Sequence, residues 1–230
     1  MSRIYVPTLS ANDWQRLLAK PQLHWKKGRS AMTLALSWEA SGGEFPPEVG
    51  NMLAASGASA LKDLTAFVGI PEFQVALPGG DRPSQSDLMV LATGASGLAV
   101  MTVEGKVDEP FGPTLEEKQR DPSPGQAERS AFLLKTLGLT ASTSGALRYQ
   151  LLHRAVSAIL LARQLRADTA IMLVHAFGGK VDNLLDFEAF CAALGTQGGA
   201  NRVTRAPNLS QPSLFLAWCE GDVRFTQLEP

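Results

Sequence analysis

Three short β-rich segments follow one another in the middle of this chain, each separated from the next by a glycine-containing turn. They are FQVAL (73–77), DLMVLAT (87–93) and LAVMTVEGKV (98–107). Short apolar runs bounded by such turns are typical of neighbouring antiparallel strands. We therefore predict a three-stranded meander at the start of a β-sheet.

Helical segments are predicted before and after this meander. Residues 1–60 contain three runs of helix-forming residues, and a loop rich in proline and charge follows the meander over 108–126. Two helices, the strand TAIMLVHAF (169–177), a further helix and a last strand complete the chain. This order predicts an α/β fold with a mixed sheet flanked by helices, because a helical crossover leads to a parallel strand. We expect one domain over 1–230, with residues 1–60 as its N-terminal helical segment.

The overall composition limits the class of function. The 230 residues are 45% hydrophobic and 19% charged, as in an ordinary globular domain, and the formal net charge is −1. This charge gives no general attraction to nucleic acid, so a nucleic-acid enzyme would need a local basic patch. Without a signal peptide or a membrane-spanning run, we expect a cytoplasmic protein with no membrane partner. Cys191 and Cys219 lack metal-binding spacing and are predicted to be buried thiols.

The end of the third β-rich segment places charges where apolar residues are expected. Because side chains alternate along a strand, Glu104 and Lys106 share one face with Val100. If residues 94–97 form the hairpin loop, Asp87 lies directly across from Glu104 on that face, provided that the register does not slip. Like charges in this position would be stabilised by a divalent cation. The alternative is that Asp87 caps a turn and the other two residues form a solvated strand end.

Asp87 followed by VEGKV (103–107) on the next strand resembles the PD-(D/E)XK nuclease superfamily, which has a restriction-endonuclease-like α-β-β-β-α-β core. The order of elements matches this core from about residue 28 to residue 177. The stretches SWE and VEGKVDEPFG are similar to those of uncharacterised bacterial members. The family's proline–aspartate pair is not present, because Ser86 precedes Asp87.

The resemblance implies a Mg²⁺-dependent or Mn²⁺-dependent phosphodiesterase. Asp87 and Glu104 would be the metal ligands, since hard carboxylate oxygens suit these cations. Lys106 would orient the attacking water or stabilise charge on the phosphate. Glu39 would be the acidic residue of the first core helix, and Gln150 would match a glutamine that some members carry on the helix after the motif.

Further polar residues are candidates for substrate binding. Helical spacing puts Gln150, His153 and Arg154 on one face, which could line a phosphate-binding cleft, and Arg148 flanks them. Lys26 and Lys27 form a short basic stretch that could contact a polyanion. The alternative for each of these residues is that it lies on an ordinary solvated surface and has no binding role. His175, within an apolar strand, is predicted to be a hydrogen-bonded core histidine.

Several functions remain open at this stage. The leading expectation is a nuclease acting on DNA or RNA, with a homodimer as one possible assembly. The alternative is a noncatalytic interaction protein that keeps the nuclease fold. A third interpretation is a small-molecule enzyme in which Glu104 and Lys106 act as an acid–base pair.

Overall fold

A computed structural model describes residues 6–178 and 181–230. Within these residues, one mixed sheet contains six strands in the order β1-β2-β3-β4-β6-β5. The strands are β1 (Thr65–Val75), β2 (Ser84–Gly94), β3 (Gly97–Lys106), β4 (Thr169–Ala176), β5 (Arg202–Ser210) and β6 (Ser213–Glu220). The pairs β1–β2, β2–β3 and β5–β6 are antiparallel, whereas β3–β4 and β4–β6 are parallel.

Helices cover both faces of the sheet. They are α1 (Asn12–Gln15), α2 (Pro21–His24), α3 (Ser30–Glu39), α4 (Pro47–Ala55), α5 (Leu115–Gln119), α6 (Pro124–Leu137), α7 (Ala141–Ser144), α8 (Tyr149–Leu165) and α9 (Val181–Ala193), with 3₁₀ turns at Ser59–Leu61 and Val223–Gln227. The apolar residues of α3 and α4 pack on one face, and those of α6, α8 and α9 pack on the other. The predicted α/β class, with a mixed sheet flanked by helices, is confirmed.

The β2–β3 hairpin has the predicted register. Thr93 pairs with Leu98, and the pairing continues to Leu88 opposite Val103. Gly94 and Gly97 also pair, so the connecting loop is two residues long rather than four. The next position along the strands brings Asp87 opposite Glu104.

The predicted alternation of side chains along β3 is also confirmed. Val100 belongs to the apolar cluster on the α8 face, and the Thr102 hydroxyl donates to the Arg154 carbonyl of α8 at 3.3 Å. Met101 and Val103 belong to the cluster on the α3 face. Glu104 and Lys106 therefore lie on the side of the sheet that α8 covers.

The two edge strands differ from the sequence prediction. β1 extends back to Thr65, although only its end was predicted, and β5 was not predicted at all. Both contain a proline, which removes a backbone donor and is tolerated on an edge strand. Pro71 and Pro207 are compatible with these positions, because an edge strand uses only one side for sheet hydrogen bonds.

The segment predicted as a loop over 108–126 contains helical structure. α5 lies within it, and α6 begins at Pro124. Thr114 with Glu117, and Ser123 with Gln126, form reciprocal capping boxes that start these helices. Near the N-terminus, α1 spans four residues, and Pro21 begins α2, because proline suits the first position of a helix.

The described residues bear on the expectations about the two cysteines and about a membrane-spanning helix. Cys191 and Cys219 are buried and free. None of the helices in the described parts of the chain combines the length and apolar character that a membrane span requires.

Candidate active site

The charged end of β3 is buried against α8. Glu104 and Lys106 are each 4% exposed. Lys106 Nζ donates to Glu104 Oε1 and to Gln150 Oε1, both at 3.0 Å, and Gln150 Nε2 donates to the same Glu104 oxygen at 2.6 Å. Lys106 Nζ also lies 4.7 Å from the centre of the Phe111 ring. The lysine is therefore fixed in position by groups from a strand, a helix and a loop.

Arg154 contacts the other oxygen of Glu104. Its Nε donates to Glu104 Oε2 at 2.5 Å, and its Nη1 donates to Ser84 Oγ at 3.1 Å. Burial alone would raise the pKa of Glu104, but the positive charges of Arg154 and Lys106 lower it to about 2. Glu104 is therefore an ionised carboxylate with two protein cations beside it.

Asp87 and Glu72 bring two further carboxyl groups to this place. Pro71 pairs with Leu88 and Phe73 pairs with Ser86, so Glu72 lies opposite Asp87 across the β1–β2 pair. Asp87 Oδ2 accepts the Gly105 backbone N–H at 2.8 Å. Burial, followed by the Glu104 charge, raises the pKa of Asp87 to about 7, and burial with the Asp87 charge raises the pKa of Glu72 to about 8.

These side chains line a cavity of about 560 Å³. The acids Glu72, Asp87 and Glu104 lie in its wall together with Lys106, Gln150 and Arg154. The remaining lining residues are Leu18, Ala19, Leu23, His24, Arg29, Ser30, Ala31, Gln85 and Glu109. The structure thus brings Asp87, Glu104, Lys106 and Gln150, all predicted from the sequence, to one cavity.

Other predicted residues lie elsewhere or have different partners. Glu39 lines a separate cavity of about 320 Å³, and its Oε1 accepts from Thr8 Oγ1 and Trp14 Nε1, both at 2.7 Å. Arg148 Nε donates to Asp186 Oδ2 at 2.8 Å. Neither Glu39 nor Arg148 lines the 560 Å³ cavity.

His153 and the two lysines also lie outside the cavity wall. His153 Nδ1 is 2.9 Å from Ser84 Oγ, and burial together with the Arg154 charge lowers the pKa of His153 well below its ordinary value. Lys26 and Lys27 are exposed and follow His24, which does line the cavity. Lys27 Nζ lies 3.9 Å from Glu229 Oε1.

Two acidic residues of the site were not predicted. Glu72 escaped prediction because the β1 register that puts it opposite Asp87 could not be derived without recognising the whole strand. Glu109 Oε1 accepts the Ser30 backbone N–H at 3.0 Å, and its Oε2 accepts the Val107 N–H at 3.1 Å. The only signal for Glu109 in the sequence was its position shortly after β3. That position does not indicate that its carboxylate accepts the backbone N–H at the first residue of α3.

The carboxyl groups of the cavity are candidate ligands for a divalent cation. Among residues 6–178 and 181–230, no group of three or more His, Cys, Asp or Glu side chains is arranged to hold a metal ion. Mg²⁺, however, usually takes one or two protein carboxylates and keeps several waters. Asp87 and Glu72 supply two carboxyl groups in the wall of one cavity, and a divalent cation there would offset the burial and mutual repulsion that raise their pKa values. The residues therefore fit a largely hydrated Mg²⁺ or Mn²⁺, beside a Glu104 already engaged by Lys106 and Arg154.

Among the comparisons with known proteins, the match is to a family model. A family model described as "Domain of unknown function (DUF6946)" matches residues 7–223. No curated protein and no solved structure matches the chain.

Proposed function

The chain belongs to the DUF6946 family, whose description states no function, and from the site itself we propose that it is a divalent-metal-dependent phosphodiesterase acting on DNA or RNA. The observation that carries this proposal is the meeting of Asp87, Glu104, Lys106 and Gln150 at one cavity. The order of elements supports it, because a three-stranded antiparallel meander is followed by a helical crossover and a parallel strand. That arrangement is compatible with the restriction-endonuclease-like core that the sequence resemblance implies.

The carboxylates have separate roles in this proposal. Asp87 uses Oδ2 for the Gly105 N–H, and no hydrogen bond to its Oδ1 is found in the described parts of the chain. Asp87 and Glu72 would hold the cation, and Glu104, whose two oxygens accept from Lys106, Gln150 and Arg154, would lie beside it. A bound Mg²⁺ or Mn²⁺ would supply Lewis-acid polarisation of a phosphoryl oxygen and a more acidic water.

Lys106 would act on the substrate directly. Its ammonium group is held by Glu104 and Gln150, so little conformational freedom remains to be lost when a phosphate binds. A positive charge fixed in a buried position stabilises developing negative charge on a phosphoryl oxygen more strongly than a mobile surface lysine would. Gln150 is a positioning residue, because it contacts both Lys106 and Glu104.

The direct test is cleavage of labelled nucleic acid. We expect the full chain to cleave DNA or RNA with Mn²⁺ or Mg²⁺ and to be inactive in EDTA. Lys106→Ala should lower the rate by about 10²-fold or more, since the fixed charge near the phosphate is lost. Lys118→Ala is the matched control, because Lys118 lies over the Tyr149 ring, 5.6 Å from its centre, and does not line the cavity.

A noncatalytic interaction protein remains the second candidate. The observation that favours it is that both Glu104 oxygens are already engaged by Lys106, Gln150 and Arg154, as in a structural ion network. Absence of metal-dependent cleavage on duplex, single-stranded and branched substrates, with the protein folded, would favour this candidate over the phosphodiesterase.

A further inference from the structure

We propose that the substrate of this site is single-stranded nucleic acid rather than a duplex, an inference that rests on the proposed phosphodiesterase function. Three features of the cavity support it: the depth of the reactive groups, the distribution of positive charge and the apolar wall.

The reactive groups lie deep in the protein. Glu104 and Lys106 are each 4% exposed, and Arg154 is 7% exposed. The cavity of about 560 Å³ has the size of a small-ligand pocket. A duplex is stiff over many base pairs and carries its phosphates on a wide surface, so bringing one phosphate deep into such a pocket requires deforming the duplex. A single strand bends freely and can bring one phosphate to Lys106.

A short basic segment lies beside the cavity. Lys26, Lys27 and Arg29 are exposed, and this segment joins the cavity wall at His24 and at Arg29. The rest of the wall carries acidic groups beside two buried cations: Glu72, Asp87, Glu104 and Glu109 with Lys106 and Arg154. A protein that contacts about 6–10 phosphates of a duplex needs a similar number of cations, whereas this segment offers three cations within four residues. Three cations in succession suit consecutive phosphates of one strand.

An apolar wall lies between α1 and the basic segment. Leu18, Ala19 and Leu23 line the cavity, and Leu23 is 58% exposed. An exposed leucine beside a polar site can pack against the face of an unstacked base. Paired bases in a duplex keep their faces stacked on one another, so this contact is available only to a single strand.

The test compares four substrates that share one sequence. Labelled strands of about 20 nucleotides, one of DNA and one of RNA, are assayed with Mn²⁺ alone and after annealing to their complements. We expect at least one single strand to be cleaved about tenfold or more faster than its own duplex, because the energy of deforming the stiff duplex opposes entry of its phosphate. The two single-stranded arms distinguish a DNA substrate from an RNA substrate.

The basic segment is tested by binding in EDTA, where cleavage is prevented. The variant carrying Lys26→Gln and Lys27→Gln should bind the single strand more weakly. Its slope of log Kd against log salt concentration should fall by about 1.4, since each phosphate contact on a single strand contributes about 0.7. The matched control carries Lys62→Gln and Lys135→Gln, two exposed lysines outside the cavity wall, and should keep the wild-type slope.

The outcomes distinguish failure of the single-strand inference from failure of the phosphodiesterase function. Cleavage of duplexes as fast as single strands would overturn the inference and leave the phosphodiesterase standing. No metal-dependent cleavage of any of the four substrates would remove the phosphodiesterase and the inference together. An unchanged salt slope in the Lys26 and Lys27 variant would overturn the strand-binding role of the basic segment.

Discussion

At the scale of single residues, the Glu104 carboxylate is the group on which most contacts of the site converge. A buried carboxylate without partners would be strongly unfavourable, because it loses its hydration. Here Lys106 and Arg154 supply positive charge, and Gln150 supplies a further donor. The same contacts hold the side chain in one conformation. Stability of the strand end and orientation of the site therefore depend on the same hydrogen bonds.

Removal of Arg154 should be strongly destabilising. We expect Arg154→Met to lower the free energy of unfolding by about 3–5 kcal/mol, because the buried Glu104 carboxylate then loses one of its two neighbouring positive charges. Combining it with Glu104→Gln should recover most of that loss, since the uncompensated charge is then removed. Chemical unfolding of the two single variants and the double variant measures this coupling.

Arg148 provides the control for this experiment. Its ion pair with Asp186 is partly exposed, with side-chain exposures of 29% and 20%. Arg148→Met should cost about 1 kcal/mol or less, as is usual for exposed pairs. A loss for Arg154→Met as small as that for Arg148→Met would contradict the prediction.

His175 is a hydrogen-bonded core histidine, as predicted. Trp38 Nε1 donates to its Nδ1 at 3.2 Å, and its Nε2 lies 3.2 Å from Glu48 Oε1. With Nδ1 accepting, the proton of the neutral ring is on Nε2, which donates to Glu48. Burial lowers the pKa of His175, although the Glu48 carboxylate opposes this. The neutral ring therefore joins α3, β4 and α4.

The depressed pKa predicts a loss of stability in mild acid. Below the unfolded-state pKa of about 6.5, the unfolded chain takes up a proton that folded His175 does not, so stability falls as pH falls towards the folded-state pKa. The difference in unfolding free energy between the wild type and His175→Gln should shrink between about pH 7.5 and 5.5, by at most about 1.4 kcal/mol per pH unit. Urea unfolding across this range provides the measurement. A difference that stays constant or grows on acidification would be inconsistent with a neutral buried ring.

At the scale of elements, Gly105 permits the close contact between β3 and α3. A Cβ at this position would lie 3.3 Å from Leu34 Cβ and Cδ2, and 3.4 Å from Asp87 Oδ2. Its two neighbours in the chain, Glu104 and Lys106, point to the opposite face. The glycine between them therefore lets α3 approach the sheet while Asp87 accepts the Gly105 N–H.

We expect Gly105→Ala to destabilise the protein by about 1–3 kcal/mol, because the added methyl group overpacks this contact. The same change should lower phosphodiesterase activity, since it presses on the Asp87 carboxylate. Gly50→Ala is the matched control: its Cβ would be 3.8 Å from Phe45 Cβ, an ordinary contact, and alanine favours the α4 helix. Stability is measured by urea unfolding, and equal stability of Gly105→Ala and the wild type would show that the contact is not tight.

Which elements could be predicted depended on where their stabilising contacts lie. The β2–β3 hairpin was predictable because its register follows from alternation and a short turn that are local in the chain. β1 and β5 were harder, because an edge strand tolerates proline and is defined by its pairing partner. The helices within 108–126 carried a local signal in their capping boxes, which the proline and charge content of the segment obscured.

At the scale of the whole molecule, binding of a metal ion at the site should be coupled to folding. A cation that binds only the folded chain raises the free energy of unfolding, by about 2.7 kcal/mol at 100 times its Kd. We expect Mn²⁺ to stabilise the wild type in this way. Asp87→Asn should lose most of the effect, because a carboxylate ligand is removed. Thermal or urea unfolding with and without Mn²⁺ provides the measurement.

Asp186→Asn is the matched control for metal binding. Asp186 pairs with Arg148 and does not line the cavity, so this variant should keep the full response to Mn²⁺. Equal stabilisation of the wild type, Asp87→Asn and Asp186→Asn would mean that the cation binds elsewhere on the protein.

The sequence by itself determined the features that depend on local backbone geometry. Alternation placed Glu104 and Lys106 on one face of β3, the glycine turn aligned Asp87 with them, and helical spacing grouped Gln150 with Arg154. Each follows from a repeat of about two or 3.6 residues or from a short turn, so no distant contact is needed to derive it.

Only the tertiary structure decided which of these groups meet. It brought Glu72 opposite Asp87, paired Arg154 with Glu104, and placed Glu39 in a different cavity. These outcomes depend on how helices pack on the sheet and on which edge strand joins it. Such packing is set by side chains far apart in the chain, and local periodicity carries no information about it.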